Sequence, residues 1–394
     1  MVPGYDRWTK EIDTDVLIVG GGVVGCALAY ELAREGVEVV LAERHDLNTQ
    51  ASGGNAGSLH VQIMSFQMTL EDPRWQQIID GNVRLYVAAV RTWQELAPEL
   101  DTDIELHVEG GLMVAETHDQ LERLELKAER ERSLGLESHV IRGAELFAVA
   151  PYLSERHVVG AILCPLEGRI NPALATPAIA RSAERAGARI IRHTAVRAIS
   201  PGNRGFEVDT ARGRIRCKRV VNAAGCGAGE IAAMVGLHIP LAEPEVLHMN
   251  VTEPTCHFVD HLVQHAGMRL TFKQASNGNL IIGGGWDAVI DPATGLPTVT
   301  RASVQGNLWI AQRIVPELGH LRLVRTWAAA NAGVSSGPIL GEVSGLPGFF
   351  NAVFGDAGFT AGPICARIVA DGLTGRAPSF DHASFAIERV QAGP

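Results

Sequence analysis

The chain lacks the closely spaced cysteines that bind zinc or iron–sulfur clusters. Its six cysteines include no CxxC pair, and the two nearest to each other, Cys217 and Cys226, are nine residues apart. Metal sites of these kinds need ligands at short, regular spacings. We therefore expect no metal site, and six free cysteines in a reducing compartment.

Long apolar runs are also missing. The longest, Val16 to Tyr30, is interrupted by four glycines and is too short to span a bilayer. Residues 1–15 contain charges but no apolar segment of the kind found in a signal peptide. The sequence therefore predicts a cytoplasmic protein with no integral membrane segment.

Basic residues are too few for a general nucleic-acid binder. Lysine and arginine number 34 against 44 acidic residues, a net charge of −10, which also disfavours charge-driven binding to anionic lipid. A length of 394 residues exceeds one ordinary domain, and 46% hydrophobic with 20% charged residues is the balance of a globular protein. The 43 glycines show no collagen repeat and indicate many tight turns.

The first informative segment has the pattern of a βαβ unit. Val16–Val19 is an all-apolar run, as expected of a parallel strand buried on both faces. A glycine-rich loop follows, then a predicted helix over 26–35 and a second predicted strand over 37–42. Units of this kind bind dinucleotides when their loop carries the right glycines.

That loop contains a GxGxxG motif, formed by Gly20, Gly22 and Gly25 around Val23 and Val24. The first glycine permits a tight turn, the second lets the backbone approach a pyrophosphate, and the third lets the helix pack on the strand. Free N–H groups at the start of the helix then face the phosphates.

An acidic residue completes the motif. Glu43 ends the second strand, 18 residues beyond Gly25, where its carboxylate can accept ribose hydroxyls. A carboxylate there disfavours a 2′-phosphate, so NADP is not expected. Strand, loop, helix, strand and acidic residue together predict a dinucleotide site.

Later elements are predicted from periodicity and caps. Tyr86 and Trp93 fall on the apolar face of a long amphipathic helix and are expected in the core. Thr117 opens a predicted capping box. From about residue 240 to 325, alternating polarity predicts antiparallel strands, interrupted by a helix over 301–314. No linker separates these segments, so the domains are expected to be interleaved.

Taken in order, these segments resemble the D-amino-acid-oxidase-like (DAO) family of FAD-dependent oxidoreductases, which includes glycine oxidase, sarcosine oxidases and D-amino acid dehydrogenases. Residues 16–44, ending in the pair Glu43-Arg44, are similar to the family's N-terminal signature. Four later segments follow in the family's order, and they are Ser52–Gly57, Val220–Gly225, Gly278–Gly284 and Gly355–Thr360. The resemblance spans nearly the whole chain.

The resemblance implies an α/β fold, with a Rossmann-like FAD-binding domain of the glutathione-reductase type interleaved with an antiparallel-sheet α+β substrate domain. FAD is favoured over NAD, and non-covalent binding is expected because no cysteine lies between residues 327 and 359. The FAD-binding domain is expected over 1–90, 145–235 and 326–394, and the substrate or cap domain over 91–144 and 236–325.

The same resemblance assigns cofactor contacts. The Gly355–Thr360 loop precedes a helix predicted to begin at Pro363, so its amides and the helix dipole would face the flavin N1–C2=O edge, where reduced flavin carries negative charge. The residues expected to bind FAD are Gly20, Gly22, Val23, Val24, Gly25, Glu43, Arg44, Ser52, Gly53, Asn55, Ala56, Gly57, Leu59, Val196, Ala223, Ala224, Gly225, Gly355, Asp356, Gly358, Phe359 and Thr360.

Three further segments, His60–Phe66, Lys273-Gln274 and Ile282–Trp286, most resemble one branch of the family. This branch contains the FAD (β) subunits of opine oxidases and of proline or hydroxyproline dehydrogenases, and the large chain of hydrogen cyanide synthase. It implies a hetero-oligomer whose other subunits carry further flavin and a [2Fe–2S] cluster, with membrane association only through those partners. Two alternatives stay open: a stand-alone flavin amine or D-amino acid oxidase that reduces O2, and a non-catalytic FAD-holding subunit.

The reaction implied by the resemblance is oxidation of a C–N bond in a secondary amine, an opine or a D-amino-acid-like substrate. The neutral amine would lose hydride from its α-carbon to flavin N5, and water would hydrolyse the imine. In such a reaction the protein mainly orients the reactants, and no strong base is needed.

The substrate carboxylate needs a cationic anchor, and arginine suits it best. Arg325 begins a stretch similar to the family's Arg-x-Trp-Ala-Gly, but Asn331 stands where the family has a second arginine at the substrate carboxylate. Either the anchor moved, to Lys273, Arg269 or Arg325, or the substrate is not a simple free amino acid.

Other roles are predicted for several of the catalytic candidates. Lys273, if near N5, could help oxygen accept electrons, although a lysine at a solvated strand edge is the alternative. Arg325 is alternatively a structural ion-pair partner. His248 is a candidate wall residue of the pocket, with a hydrogen-bonded core histidine as the alternative. His60 and Gln62 are candidates for the pocket wall or the flavin edge, because loops carry function more often than core strands do, with no functional role as the alternative.

Overall fold

The computed structural model describes residue 8 and residues 11–64, 67, 72–239, 241–333, 337–355 and 357–388. Its α-helices are α1 (Val23–Ala33), α2 (Ala51–Gly54), α3 (Pro73–Leu96), α4 (His118–Ser133), α5 (Gly143–Val149), α6 (Pro172–Arg185), α7 (Ala228–Ala233), α8 (Arg301–Ile314) and α9 (Gly358–Thr374).

Strands outnumber helices and gather mainly into two large sheets. They are β1 (Ile12–Val19), β2 (Val39–Ala42), β3 (Ser58–Leu59), β4 (Gly111–Ala115), β5 (His139–Arg142), β6 (Gly160–Cys164), β7 (Gly168–Arg169), β8 (Arg189–Ile191), β9 (Val196–Gly202), β10 (Gly205–Thr210), β11 (Arg214–Asn222), β12 (Ala242–Thr252), β13 (Leu262–His265), β14 (Thr271–Gln274), β15 (Leu280–Gly283), β16 (Val289–Ile290), β17 (Pro297–Thr298), β18 (Leu323–Gly333), β19 (Ile339–Glu342) and β20 (Phe349–Val353).

The first sheet contains the predicted βαβ unit. Its strand order is β19-β20-β11-β1-β2-β8, with β10 paired to β11 and β9 paired to β10. Strand β1 is parallel to both β2 and β11, and its apolar end, Val16–Val19, is buried among neighbours on both sides. This burial explains the continuous apolar run and confirms the predicted parallel strand.

Helices cover one face of this sheet. Helix α1 packs against both α6 and α9, and α3 packs against α9. Their buried apolar residues form one core with the inner residues of β1 and β2. A second core on the other face includes residues of β9, β10 and α7. The sheet is thus covered on both faces, as a parallel sheet requires.

The second sheet has the order β18-β12-β15-β14-β13-β4-β6-β5. All of its pairs are antiparallel except β13 with β4. This confirms the antiparallel strands predicted from alternation, and α8 confirms the helix predicted over 301–314. Helix α8 packs on β12 and β15 and closes the side of the sheet remote from the pocket described below.

The chain crosses between the two sheets several times. Strand β6 belongs to the second sheet although it lies within 145–235, which was expected to be FAD-binding, and β18 spans the expected boundary at residue 326. Sheet membership therefore differs from the expected domain limits at these two strands. In the part of the chain that the structure describes, no helix is both long and apolar enough to cross a membrane.

Candidate cofactor and substrate site

One pocket extends from the glycine loop of the first sheet to the inner face of the second sheet. Its walls include Gly20, Gly22 and Glu43 at one end and residues of β12, β13 and β14 at the other. The space between the two sheets is therefore continuous, and the two ends differ in the groups that line them.

At the first end, glycine is required by close approach. Gly20 has a φ of +118°, and a Cβ on Gly25 would lie 2.0 Å from the carbonyl oxygen of Gly20. Gly22 caps α1 without a side-chain hydrogen bond. The Val23 N–H donates to Ser52 Oγ at 3.0 Å. The start of α1 faces the pocket, and the positive end of its dipole suits a phosphate group.

Glu43 lies where the sequence predicted it, directly after β2. Its Oε2 accepts a hydrogen bond from the Gly21 N–H at 2.7 Å, and its Oε1 accepts one from the His45 N–H at 2.7 Å. Two backbone donors thus fix the carboxylate at the pocket wall, where its remaining lone pairs can accept ribose hydroxyls. Arg44, next in the chain, is exposed and also lines the pocket.

The loop over residues 52–57 passes beside this end. Asn55 Oδ1 accepts from the Gly57 N–H at 2.6 Å, and its amide donates to the Ser52 carbonyl, so Asn55 braces its own loop. A Cβ on Gly53 would lie 1.7 Å from the Asn48 carbonyl oxygen. Ser52, Asn55 and Ala56 line the pocket, whereas the three glycines of the loop do not.

Helix α9 brings the C-terminal loop to the same pocket. It begins at Gly358, not at Pro363 as predicted, because Ala357 adopts a left-handed φ of +53° as the N-cap residue. Phe359 and Thr360 therefore lie in the first turn and line the pocket together with Gly355 and Gly358. The positive end of the α9 dipole faces the pocket and favours negative charge there.

The remaining predicted cofactor residues divide into two groups. Ala223, Ala224 and Gly225 follow β11 and line the pocket, as does Val24, whereas Leu59 and Val196 do not. Leu59 is buried in the core, and Val196 begins β9 opposite Thr210. Gly25 and Gly57 do not line the pocket either, and a Cβ on Gly57 would lie 2.1 Å from the Ile170 carbonyl oxygen. Asp356, together with Ser65, Phe66, Ser335 and Ser336, lies outside the described residues.

His60 lies between the two ends and lines the pocket. Its N–H donates to Thr360 Oγ1 at 3.2 Å, and its buried Nδ1 has no hydrogen-bond partner among the described residues. Burial, and then the charge of Lys273, lowers the pKa of His60 to about 3. The imidazole is therefore neutral at physiological pH.

Lys273 lies behind the pocket wall, and it is neither solvated nor at a sheet edge. Strand β14 is flanked by β13 and β15, the side chain is buried, and Nζ donates to Ser58 Oγ at 2.7 Å. Burial, and then the charge of Arg169, lowers the pKa of Lys273 to about 7. Ser58 itself lines the pocket, so one hydroxyl separates Lys273 from it.

Two other candidates lie away from the pocket. His248 is fully buried on β12, with Nδ1 2.8 Å from Ser303 Oγ and Nε2 3.0 Å from Asn250 Oδ1. It is therefore a hydrogen-bonded core histidine and not a wall residue of the pocket. Arg325 is exposed, with its guanidinium 5.6 Å from the centre of the Trp327 ring. Asn331, by contrast, lines the pocket.

A family model for FAD-dependent oxidoreductases (DAO) matches residues 15–372 of this sequence. The chain belongs to this family. Its FAD cofactor and its oxidoreductase class follow, and the resemblance and fold class inferred from the sequence are confirmed.

Two proteins similar in sequence span nearly the same length. The B chain of opine oxidase from Agrobacterium tumefaciens (strain Ach5) is 28% identical over 391 residues, which cover 96% of this chain and 98% of that protein. Glycine oxidase of Geobacillus kaustophilus (strain HTA426) is 26% identical over 377 residues, which cover 95% and 97%.

Two solved structures have a similar fold over nearly the whole chain. The crystal structure of glycine oxidase from G. kaustophilus has a TM-score of 0.85 at 25% identity and covers 95% of this chain and 98% of its own. That of L-proline dehydrogenase from P. horikoshii, at 24% identity, also has a TM-score of 0.85, with coverages of 98% and 99%, and it supports the fold.

The residues of this flavoenzyme fit an FAD molecule at the first end of the pocket. The glycine loop leaves no space for a Cβ at Gly20 or Gly25, and the starts of both α1 and α9 face the same cavity. Glu43 offers acceptor oxygens near α1, whereas α9 offers a positive dipole. These donors and acceptors suit ribose and phosphate on one side and an anionic ring edge on the other.

A buried polar network of the flavoenzyme supports the loop that carries His60. Glu167 is fully buried, and burial raises the pKa of its carboxyl although several N–H groups bond to it. Gln62 Nε2 and Gln264 Nε2 each donate to Glu167 Oε2 at 2.8 Å. Both glutamines line the pocket, so Glu167 fixes the orientation of two amide groups at its surface.

Helix α4 supports the same loop from outside. Lys127 and Glu131, both buried, form an ion pair of 2.6 Å one turn apart. Lys127 Nζ also donates to Gln62 Oε1 at 2.9 Å, and Glu131 Oε1 accepts from the Ile63 N–H at 2.8 Å. The loop is thus held by buried charges on both of its sides.

Several residues of this site were not found by sequence reasoning. Gln264, Glu245 and Met113 line the pocket, and so does Tyr86, which was predicted for the core; Trp93 is in the core as predicted. Glu167 is a single acidic residue between two short strands. No local motif marks these positions, because only the tertiary structure brings them together.

Proposed function

We propose that this flavoenzyme oxidises a C–N bond of a secondary amine, an opine or a D-amino-acid-like substrate. The observation that carries the proposal is the continuous pocket. It leads from the end formed by the glycine loop, which we call the FAD end, past His60 to the end formed by the second sheet, which we call the substrate end. The names of the similar proteins, an opine oxidase chain and a glycine oxidase, support the same class of substrate.

The groups around the substrate end suit a neutral amine. His60 is neutral, and Glu245, the one carboxylate among the described lining residues of the second sheet, is paired with Arg269. Methionine and leucine side chains form much of the remaining wall, and an apolar wall disfavours an ammonium ion. The substrate nitrogen therefore keeps its lone pair without a strong base.

Bound FAD supplies the acceptor for the hydride of the substrate α-carbon. The chain's own residues orient the amine, exclude water and stabilise charge. In this proposal the predicted cofactor contacts that line the pocket hold FAD, and the start of α9 stabilises the anionic edge of the ring. The FAD-binding and substrate domains then correspond to the first and second sheets.

The electron acceptor in our proposal is another protein of a hetero-oligomer. The support is that two relatives are named as subunits of larger enzymes, the opine oxidase chain and the beta chain of sarcosine oxidase from Rhizobium meliloti (strain 1021). A stand-alone oxidase is the second candidate, because this chain covers 97% of a glycine oxidase. A partner with a further flavin and a [2Fe–2S] cluster remains part of the first proposal.

Anaerobic titration of the flavin absorbance tests the function. The panel is octopine, nopaline, D-proline, D-hydroxyproline, sarcosine, glycine and D-alanine, and we expect one carboxylate-bearing amine to bleach the flavin. Slow recovery of colour in air would support the partner-dependent dehydrogenase, and rapid recovery the stand-alone oxidase. A flavin that no amine bleaches, even in the assembled hetero-oligomer, would overturn the proposal.

A further inference from the structure

Three polar side chains meet at the substrate end of the pocket. Arg269 lies between β13 and β14 and forms an ion pair with Glu245 of β12. Glu245 is in turn opposite Asn331 on the adjacent strand β18. All three residues line the pocket. A guanidinium, a carboxylate and an amide from three separate segments thus share one wall.

Arg269 is the positive charge that this wall can offer. The other arginine among the described lining residues is Arg44, which neighbours Glu43 at the dinucleotide end. His265 lines the pocket too, but its Nδ1 accepts from the N–H groups of Gly267 and Met268 at 2.9 and 3.0 Å. Burial also lowers the pKa of His265, and its Nε2 lies 3.3 Å from Glu116 Oε2, so both ring nitrogens already have protein partners.

The other two proposed anchors are less well placed. Lys273 is buried behind the wall and donates to Ser58 Oγ. Arg325 is exposed and outside the lining. The Arg269–Glu245 pair, in contrast, is partly exposed, with 40% and 22% of the two side chains accessible. Pairs with that degree of exposure contribute little to stability, so an arriving anion can compete for the guanidinium.

We propose that Arg269 binds the carboxylate of the amine substrate, and that Glu245 holds the guanidinium in position until the carboxylate arrives. This assignment rests on the proposed function. The planar guanidinium has five N–H donors, enough to serve both carboxylates. The neighbouring wall is apolar, formed by Met113, Leu247, Met249, Met268 and Leu270, and suits the carbon skeleton of a carboxylate-bearing secondary amine.

Binding of an unreactive ligand tests the anchor without turnover. The probe is (methylthio)acetate, in which sulfur replaces the amine nitrogen, and the change in the visible flavin spectrum reports its Kd. We expect Arg269→Met to weaken binding by about tenfold or more, because a charge-assisted hydrogen-bond pair is lost. The Kd of Arg269→Lys should lie between those of the wild type and Arg269→Met. Glu245→Gln should bind the probe equally or more tightly than the wild type, since a competing carboxylate is gone.

Arg142→Met is the matched control. Arg142 forms an exposed ion pair with Glu125 at 3.2 Å on the outer part of the second sheet, and its loss should leave the Kd unchanged. Flavin content and melting temperature of every variant establish that each one folds.

Three results would overturn the anchor: no binding to the wild-type holoenzyme, an unchanged Kd in Arg269→Met, or equal weakening in Arg269→Met and Glu245→Gln. Equal weakening is what a purely structural ion pair gives. The amine titration keeps the two proposals distinct. If the probe binds through Arg269 but no amine bleaches the flavin, the anchor stands and the proposed reaction fails. If amines bleach the flavin of the wild type and of Arg269→Met with the same KM, the proposed reaction stands and the anchor fails.

Discussion

The two ends of the pocket are built in different ways. The FAD end consists mainly of backbone: glycines, helix starts and a carboxylate held by two N–H groups. The substrate end consists of side chains from β4, β12, β13, β14 and β18, supported by buried charges. Backbone geometry follows from short motifs, whereas side-chain geometry depends on the whole fold. The cofactor end is thus encoded locally and the substrate end globally.

The largest expected effect is at the cofactor end. Gly25→Val should reduce the free energy of unfolding by at least about 5 kcal/mol and abolish FAD binding, because a Cβ there would lie 2.0 Å from the Gly20 carbonyl oxygen. The measurement is denaturant unfolding together with flavin absorbance. Gly372→Ala in α9 is the control, since its Cβ would meet only Phe350 at 3.6 Å. Retention of FAD by Gly25→Val would contradict a backbone-built site.

The next effect is at the support of the substrate end. Lys127→Met leaves Glu131 buried without its counter-charge and should cost about 3 to 5 kcal/mol in the free energy of unfolding. Arg123→Met is the control on the same helix, because Arg123 pairs with Asp119 at the same four-residue spacing but is two-thirds exposed. That variant should cost less than about 1 kcal/mol. Equal losses of unfolding free energy in the two variants would mean that the buried ion pair stabilises the protein no more than the exposed one.

The third effect concerns pH and is small over any one pH unit. The unfolded chain keeps the Lys273 proton up to about its usual pKa of 10.5, whereas the folded chain releases it at about pH 7. The folded state binds fewer protons between these values, so the lysine's contribution to stability rises with pH there, by at most about 1.4 kcal/mol per pH unit. Lys273→Met should remove this rise, measured by denaturant unfolding at several pH values.

Lys218→Met serves as the control for the pH experiment, since Lys218 is largely exposed beside Asp15, and this variant should keep the rise of the wild type because Lys273 is intact. FAD affinity should not depend on Lys273 over the same range, because the FAD end consists mainly of backbone groups, which do not titrate. A parallel change in FAD affinity would break the proposed contrast between the ends.

Much of the fold could be predicted because it is encoded in consecutive residues. The β1–α1–β2 unit follows from an apolar run and three glycines, and α8 follows from its helical pattern. The start of α9 could not be predicted. Proline usually marks the first helical position, so Pro363 indicated a later start, and nothing in the sequence indicates that Ala357 adopts a left-handed φ.

The substrate end was predicted only in part. His60 and Asn331 do line the pocket, but His248 points to the other side of its strand, since alternate residues of a strand face opposite ways. The neighbouring residues Leu247 and Met249 face the pocket instead. Which face of β12 is inside depends on how the two sheets meet, and that information is not local.

The position of β20 has a consequence for biosynthesis. This strand comes late in the chain, yet it lies inside the first sheet between β19 and β11, and the helix that follows it packs against α1. On the ribosome, the GxGxxG segment therefore emerges long before the groups that complete its pocket. Until then, the edge of β11 that pairs with β20 and the surface of α1 that packs on α9 are uncovered, and such surfaces favour aggregation. The pocket that suits FAD is therefore complete only in chains whose synthesis has passed α9.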